Sequence, residues 1–410
     1  MDNVTHTLIG VLAGEALALS LPAARSGLTV DSRRNLLLSA MAVGSNLPDL
    51  DFLYGASTHN KLDYLLQHRG YTHTVVGAIG LALLTLAACA LWIRIRKMQA
   101  TRADYRVLFG VALLAPLLHI AMDFTNSYGV HPFWPFYDGW LYGDSVFIVE
   151  PLIWAAAAAP LVFGLRTLVA RVLAALVLIA GIGLSLWTGL VPAAFVALLV
   201  LLTLVMLLVG RHATPRKAVL AGIAAWLAVT ALFAAAGRVA AMEIEASARA
   251  EPGRLLDHVL TPLPANPVCW DVLVIQSDGD RYTLRQGMLS LAPAWMPAHS
   301  CPSRMQTIPT TAPLAAVKQG NAVALAWRTE VNLSAQELRR LAGQYCQAQA
   351  VLRFARAPFY TGRIVGDLRY DRERRAGFAE ADLDKDRCPA FAAPWIPPRA
   401  DLLRLQRNPR

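Results

Sequence analysis

The chain has 410 residues, 56% of them hydrophobic and only 16% charged, with a mean hydropathy of +0.42. Soluble proteins carry about 25% charged residues, so an ordinary globular enzyme is excluded and a membrane protein is expected. The formal charge of +10 does not indicate nucleic-acid binding, because the basic residues lie in short loops and across the tail, with no basic stripe or base-stacking motif.

The apolar residues are concentrated before position 237, whereas the part from Arg238 onward has 23 Lys/Arg against 17 Asp/Glu. Two units are expected: an all-α polytopic membrane domain over 1–237, and a soluble α+β domain over 238–410. The first twenty residues contain an apolar run ending in small residues. They lack a basic leader and carry His6 and Glu15, so they read as a retained membrane helix, not a cleaved signal peptide.

A span needs about 20 apolar residues. Runs at 4–21, 35–47, 74–93, 107–124, 148–165, 168–189, 191–209 and 217–237 predict eight crossings. The second is short enough to be re-entrant, and Leu190-Val191-Pro192 is a tight turn or a kink. One set of connecting loops carries thirteen Lys/Arg, among them Arg33, Arg34, Arg94, Arg96 and Arg166, and the opposite set carries Lys61 and Arg69. By the positive-inside rule the first set is cytoplasmic, which puts both termini outside.

Cys89 falls within a span; Cys269, Cys301, Cys346 and Cys388 all lie in the tail. An even number in a solvated domain suits an oxidising compartment and up to two disulfides, with three connectivities open. Within the tail, Trp270 to Ile275 and Arg281 to Leu284 flank Ser277-Asp278-Gly279-Asp280, a strand-turn-strand signal. Ser334-Ala335-Gln336-Glu337 opens a capping-box helix, and alternation returns from Gly362 to Tyr370.

Six of nine histidines occur in the first 131 residues, and the expected topology places all six on the outer side. His6 heads the first span. Asp49 and Asp51 follow Pro48 at the exit of the second, His68 and His73 precede the third, and His119 and Asp123 end the fourth. Spaced four apart on a helix, His119 and Asp123 share a face and can share a metal ion. His68 and His73 would diverge on a continuous helix, but Gly70 allows a break. Residues 60–67 have Leu62, Leu65 and Leu66 at helical spacing, consistent with a short helix on the membrane surface.

One of Asp49 and Asp51 binds metal while the other orients a histidine or bridges two ions; the bland alternative is a helix-ending turn with solvated acids. Arg69 is a candidate for gripping an anionic phosphate, against simple snorkelling. Glu150, before Pro151, is the candidate general base or additional ligand, against a helix N-terminal acid favoured by the dipole. Phe133, Trp134, Phe136, Tyr137, Trp140 and Tyr142 form an interfacial anchor or a wall guiding a headgroup. His59, His131, His212, His258 and His299 are read as solvated and set aside.

Thr5-His6-Thr7, Pro48-Asp49-Leu50-Asp51, His68-Arg69-Gly70-Tyr71-Thr72-His73, His119 with Asp123, and Val149-Glu150-Pro151 resemble the YdjM-like family of inner-membrane proteins regarded as metal-dependent hydrolases. Pro264 to Trp270 looks like the region after the spans in longer members. The ligand pattern is also distantly similar to that of zinc-dependent phospholipases C.

The resemblance implies metal-dependent hydrolysis of a lipid-linked phosphoester or related bond at the outer face of the inner membrane. The metal would be divalent, most simply zinc, with His6, Asp49, Asp51, His68, His73, His119 and Asp123 as ligands and Asp51, Glu150 and Arg69 as catalytic groups. The rival from another class is a proton- or metal-coupled transporter using the same cluster. Transporter sites usually lie near the bilayer midplane between repeats, and here the polar residues sit at span ends with no clear repeat.

Overall fold

The computed structural model of the chain describes residues 1–302, 313–317, 323–370, 378–391 and 393–403. Helices α1 (Asn3–Ser20) and α2 (Val30–Gly44) pack antiparallel, followed by two short helices, α3 (Phe52–Thr58) and α4 (Lys61–Gln67). Then come α5 (Val75–Ile95), α6 (Arg102–Phe124), α7 (Pro151–Gly164), α8 (Leu168–Thr188), α9 (Ala193–His212) and α10 (Pro215–Arg249).

All eight apolar runs form helices, but only α5, α6, α8, α9 and α10 are long and apolar enough to cross a membrane by themselves. The other three fall short for identifiable reasons. α1 carries His6 and Glu15 among its 18 residues; α2 opens on Asp31-Ser32-Arg33-Arg34-Asn35 and stops at Gly44. α7 has 14 residues and is buried along most of its length among α1, α8, α9 and α10. Its run Ala155 to Ala159 presents almost no side chain, so backbones approach closely: a Cβ on Gly222 of α10 would stand 2.9 Å from Pro160 Cγ.

α10 runs on through the expected boundary at 237. Its 35 residues make a rod of about 52 Å, well beyond a hydrocarbon core of about 30 Å. The projecting end buries Ala240, Ile244 and Ala248, one face at four-residue spacing, against Trp270, Val272, Val274 and Leu289. The helix is thus a rigid post between the membrane domain and the tail.

The tail has an antiparallel sheet of order β1-β2-β3-β5-β4, formed by β1 (Arg254–Leu263), β2 (Asn266–Asp278), β3 (Arg281–Ser290), β4 (Ala315–Ala316) and β5 (Leu325–Ser334). α11 (Ala335–Gln344) and α12 (Cys346–Phe354) follow, then a three-stranded sheet of β6 (Pro358–Thr361), β7 (Ile364–Asp367) and β8 (Glu380–Asp382). The predicted strand-turn-strand is β2–β3, with Asp278 opposite Arg281 and Gly279 at φ +61 in the turn. The predicted cap is present too: Ser334 accepts from the Glu337 N–H at 3.0 Å. Of the three connectivities, the structure has Cys269–Cys301 and Cys346–Cys388.

The two units share an interior. Leu62, Leu65 and Leu66 of α4, with Tyr128, join one core with Ile275, Leu338, Val351, Phe354 and Phe359 of the tail. The expected surface helix therefore forms, but its apolar face is covered by protein and does not lie on the membrane. Arg356, buried, pairs with Asp144 at 2.9 Å and Asp257 at 2.9 Å across the same junction. Lys61 pairs with Asp386 at 2.7 Å, and Asp63 accepts from the Ala390 N–H at 2.8 Å.

Candidate metal centre

Helix ends and the turns beside them deliver every residue of the cluster. Pro48 breaks the chain after α2 into the 3-10 turn Leu47–Asp51, which presents Asp49 and Asp51. His68 caps the C-terminus of α4. The predicted break follows, but Arg69 supplies the left-handed conformation, at φ +59. Gly70 supplies space: a Cβ there would lie 2.4 Å from the Gln67 carbonyl oxygen. The turn Tyr71–His73 then aims His73 inward, towards His119 and Asp123 on the last turns of α6.

Four atoms converge. His73 Nε2 lies 3.0 Å from His119 Nε2. Each nitrogen is 3.4 Å from Asp49 Oδ1 and 3.3 Å from Asp123 Oδ2. Ligands about 2.0–2.1 Å from a tetrahedral ion stand about 3.3 Å apart, which the five distances above match.

The hydrogen-bond inventory fits a cation at their centre. His119 Nδ1 bonds the Ser45 carbonyl at 2.7 Å, so its proton belongs there and Nε2 is bare. His73 Nδ1 faces Thr72 Oγ1 at 3.1 Å and Asp51 Oδ2 at 3.3 Å, which leaves its Nε2 bare in the same way. Two bare nitrogens facing each other repel. Asp123 Oδ2, fully buried, has no hydrogen-bond donor among the described residues, a costly arrangement in a protein interior.

The site favours positive charge. Burial opposes an imidazolium at His73, but the surrounding Asp123, Asp49 and Asp51 outweigh it and push the group up to about 10, so a cation, proton or metal ion, is favoured at Nε2. Burial likewise opposes charge on Asp49 and Asp51, yet the facing imidazoles of His119, His73 and His68 hold both well below the usual carboxylate range.

A second group, Asp49, Asp51 and His68, adjoins the first and shares Asp49. His68 Nδ1 is 2.9 Å from Asp51 Oδ1, and Asp51 Oδ2 accepts from the Arg69 N–H at 2.8 Å and from Thr72 Oγ1 at 3.1 Å. The His68 ring stacks on Tyr64 at 4.9 Å. Side chains of Asp49 and His68 are 16% and 15% exposed, against 0% for His73 and His119, so the cluster opens on this side.

The remaining predicted residues are placed as follows. His6 stacks on His119 at 3.7 Å and reaches Asp123 Oδ1 at 3.3 Å, outside the four-atom group but touching it. Arg69 turns inward, so its structural position differs from that of a free phosphate clamp. It donates to Asp123 Oδ1, the Asp123 carbonyl, Asn126 Oδ1 and the Gly129 carbonyl at 2.9–3.2 Å, over the Tyr128 ring at 4.5 Å. Glu150 stands apart from both groups. It caps α7 through the Leu152 N–H at 3.0 Å and accepts the Ala265 N–H of the tail at 3.1 Å.

One histidine set aside as solvated is not. His131 is fully buried, stacked on Trp395 at 4.1 Å and edge-on to Trp140 at 4.8 Å. Burial holds its pKa down to about 3. His59, His212 and His299 are exposed and His258 partly so. The aromatic segment divides: Phe133, Phe136 and Tyr137 are exposed, while Tyr142 lies under Arg356 at 3.9 Å and Trp140 packs on the tail. The Ser45 carbonyl and Asn126 were not predicted; only Tyr64 had a visible signal, four residues before His68 on one helix.

The chain matches the family described as YdjM inner membrane protein over residues 1–213. It is 26% identical over 159 residues to an uncharacterized protein, YfhP, of Bacillus subtilis (strain 168), covering 39% of this chain and 45% of the relative. The similarity thus spans less than half the length of that relative. No solved structure matches.

Proposed function

This chain belongs to the YdjM inner membrane protein family, and from that premise we propose that it is a metal-dependent hydrolase acting on a lipid-linked phosphoester at the outer face of the inner membrane. The observation that carries this reading is the set of four bare donor atoms, His73 Nε2, His119 Nε2, Asp49 Oδ1 and Asp123 Oδ2, at tetrahedral spacing. Two imidazoles and two carboxylates suit zinc. A divalent ion bound there supplies Lewis acidity, acidifying water and polarising a phosphoryl oxygen.

The chain's own residues prepare that chemistry. Ser45 and Asp51 fix the imidazole tautomers from behind, as partners of metal-binding histidines commonly do. Arg69 locks Asp123 and the loop after it. Asp49 and His68 occupy the open side, where substrate enters. Asp51 and His68 are the pair that takes up a proton, Asp51 Oδ1 holding His68 Nδ1 at 2.9 Å.

Orientation rests on charge and sulfur. Thirteen basic residues lie at the helix ends and loops opposite the cluster, which favours an outward cluster and tail; two disulfides in the tail suit that compartment. In this reading α1, α2 and α7 complete eight crossings with the five long helices.

Metal analysis of purified protein tests the proposal. At least one zinc per chain is expected, falling below one tenth of that in His119→Ala with Asp123→Ala. Wild type without stoichiometric metal, or the double variant retaining it, overturns the centre. A mass-spectrometric comparison of lipid and cell-wall precursor pools with wild type and this variant then reads the bond cleaved. Ion flux in proteoliposomes without any hydrolysis would replace the hydrolase by the transporter.

A further inference from the structure

Away from the cluster, α2 and α5 splay apart and leave a cleft of 610 Å³ along their length, within the range of about 300–1,000 Å³ typical of ligand sites. It runs from Ser32 and Arg96, at the basic-loop end, to Val43 and Leu47. Ser32 to Val43 spans about 16 Å of helix, close to one leaflet of a hydrocarbon core about 30 Å thick. The walls are mostly aliphatic, with Trp92 on one side.

Two polar side chains interrupt this apolar surface. Asn35 and Ser39, four apart on α2, face the cleft and have no side-chain hydrogen-bond partner among the described residues. The contrast with other intramembrane hydroxyls is clear: Thr85, Ser185, Thr203 and Thr230 each donate to the carbonyl four residues earlier, at 2.7–2.9 Å. Both are exposed on the cleft wall, and since polar groups left unpaired beside hydrocarbon are costly, a molecule with acceptor oxygens at this depth would satisfy them. At the basic end, Arg96 is exposed, its guanidinium 5.5 Å above the Trp92 ring. It lies at the α5–α6 junction, where the adjoining helix ends and connection also carry Arg94, Lys97, Arg102 and Arg106, a concentration of charge that attracts anionic headgroups.

We propose that this cleft is a binding site for one anionic phospholipid of the leaflet on the basic-loop side. Arg96 takes the phosphate, the Asn35 amide and Ser39 hydroxyl donate to the glycerol ester oxygens, and one acyl chain lies between α2 and α5 towards Leu47. The site is separate from the metal centre and does not depend on the hydrolase reading. Its occupant nonetheless reaches Leu47, the first residue of the turn that carries Asp49.

The test uses full-length protein, delipidated in detergent, incubated with vesicles of phosphatidylglycerol or of phosphatidylcholine and examined by native mass spectrometry. One phosphatidylglycerol per chain is expected, retained at least tenfold better than phosphatidylcholine. Retention should fall about tenfold in Arg96→Ala, an exposed change that leaves the packing intact, and several-fold in Asn35→Leu, which keeps the cleft apolar. Equal retention of the two lipids, or undiminished phosphatidylglycerol in both variants, overturns the site. Metal content is read in the same samples and stays at the wild-type level, so failure of the lipid site and failure of the metal centre are told apart.

Discussion

His131 shows how much one side chain depends on residues remote in sequence. Its ring is enclosed by Trp395 and Trp140, and neither ring nitrogen has a hydrogen-bond partner among the described residues. Burial, with a smaller push from the charge on His73, lowers its pKa to about 3, against 6.5 when unfolded. The unfolded chain therefore binds the extra proton as pH drops below about 6.5, and stability falls from there towards pH 3. At pH 5.5 the loss relative to neutral pH is about 1.4 kcal/mol. Thermal unfolding of the tail should show a drop in midpoint between pH 7.5 and 5.5 that shrinks in His131→Phe; an identical drop in that variant would refute the assignment. Nothing local in the sequence signals this burial, because the enclosing tryptophan comes from the far end of the chain. The opposite holds for His119 and Asp123, whose spacing of four is enough, and for His73, whose return to the centre follows from the break at Arg69-Gly70. The Ser45 carbonyl, equally necessary, is illegible because every residue has one.

Among elements, the segment after α6 is where sequence and structure part most. Composition separates a membrane unit from a soluble one, and spans are legible because twenty apolar residues in a row have few other uses. The junction between units is not, since it is made by single charged residues at long range. Arg356 gathers Asp144 from the loop after α6 and Asp257 and the His258 carbonyl from β1, at 2.6–3.0 Å. Removing the cation leaves two carboxylates in a poorly solvated site, and breaking a buried pair costs about 3–5 kcal/mol. Arg356→Leu should lower the unfolding midpoint of the tail by several degrees, with Asp144→Asn in addition recovering part of the loss. If Arg356→Leu unfolds like wild type, the junction is held by the shared apolar core alone. The same blindness hides the continuation of α10 past 237: Ala240, Ile244 and Ala248 read as a helix face only once a sheet is known to lie against them.

For the molecule as a whole, the tail acts as a brace on the candidate metal centre. His68 caps α4, and besides the shared apolar core three polar contacts hold this segment from the tail: Asn60 Nδ2 donates to the Cys388 carbonyl at 2.9 Å, Lys61 meets Asp386 at 2.7 Å, and Asp63 accepts the Ala390 N–H at 2.8 Å. The partners are Cys388 itself and the residues two positions to either side of it, and Cys388 is tied to Cys346 at the start of α12 across a separation of 42 residues. Closing a loop of that length removes unfolded-state entropy equivalent to about 4 kcal/mol. Cysteine count alone leaves the pairing open, so this brace is legible only from the fold. Cys346→Ala with Cys388→Ala should speed proteolysis around Asp386 and Ala390 at least several-fold, with α5 to α10 still protected. Because α4 positions His68 and, through Asp51, the back of His73, the double variant should also lose metal faster to a chelator than wild type. Unchanged proteolysis and unchanged metal release would mean that the tail rests on the centre without bracing it. The alternative pair, Cys269→Ala with Cys301→Ala, is the control: that disulfide joins β2 to the segment after β3 and touches neither α4 nor the cluster, so its loss should leave metal release as it was.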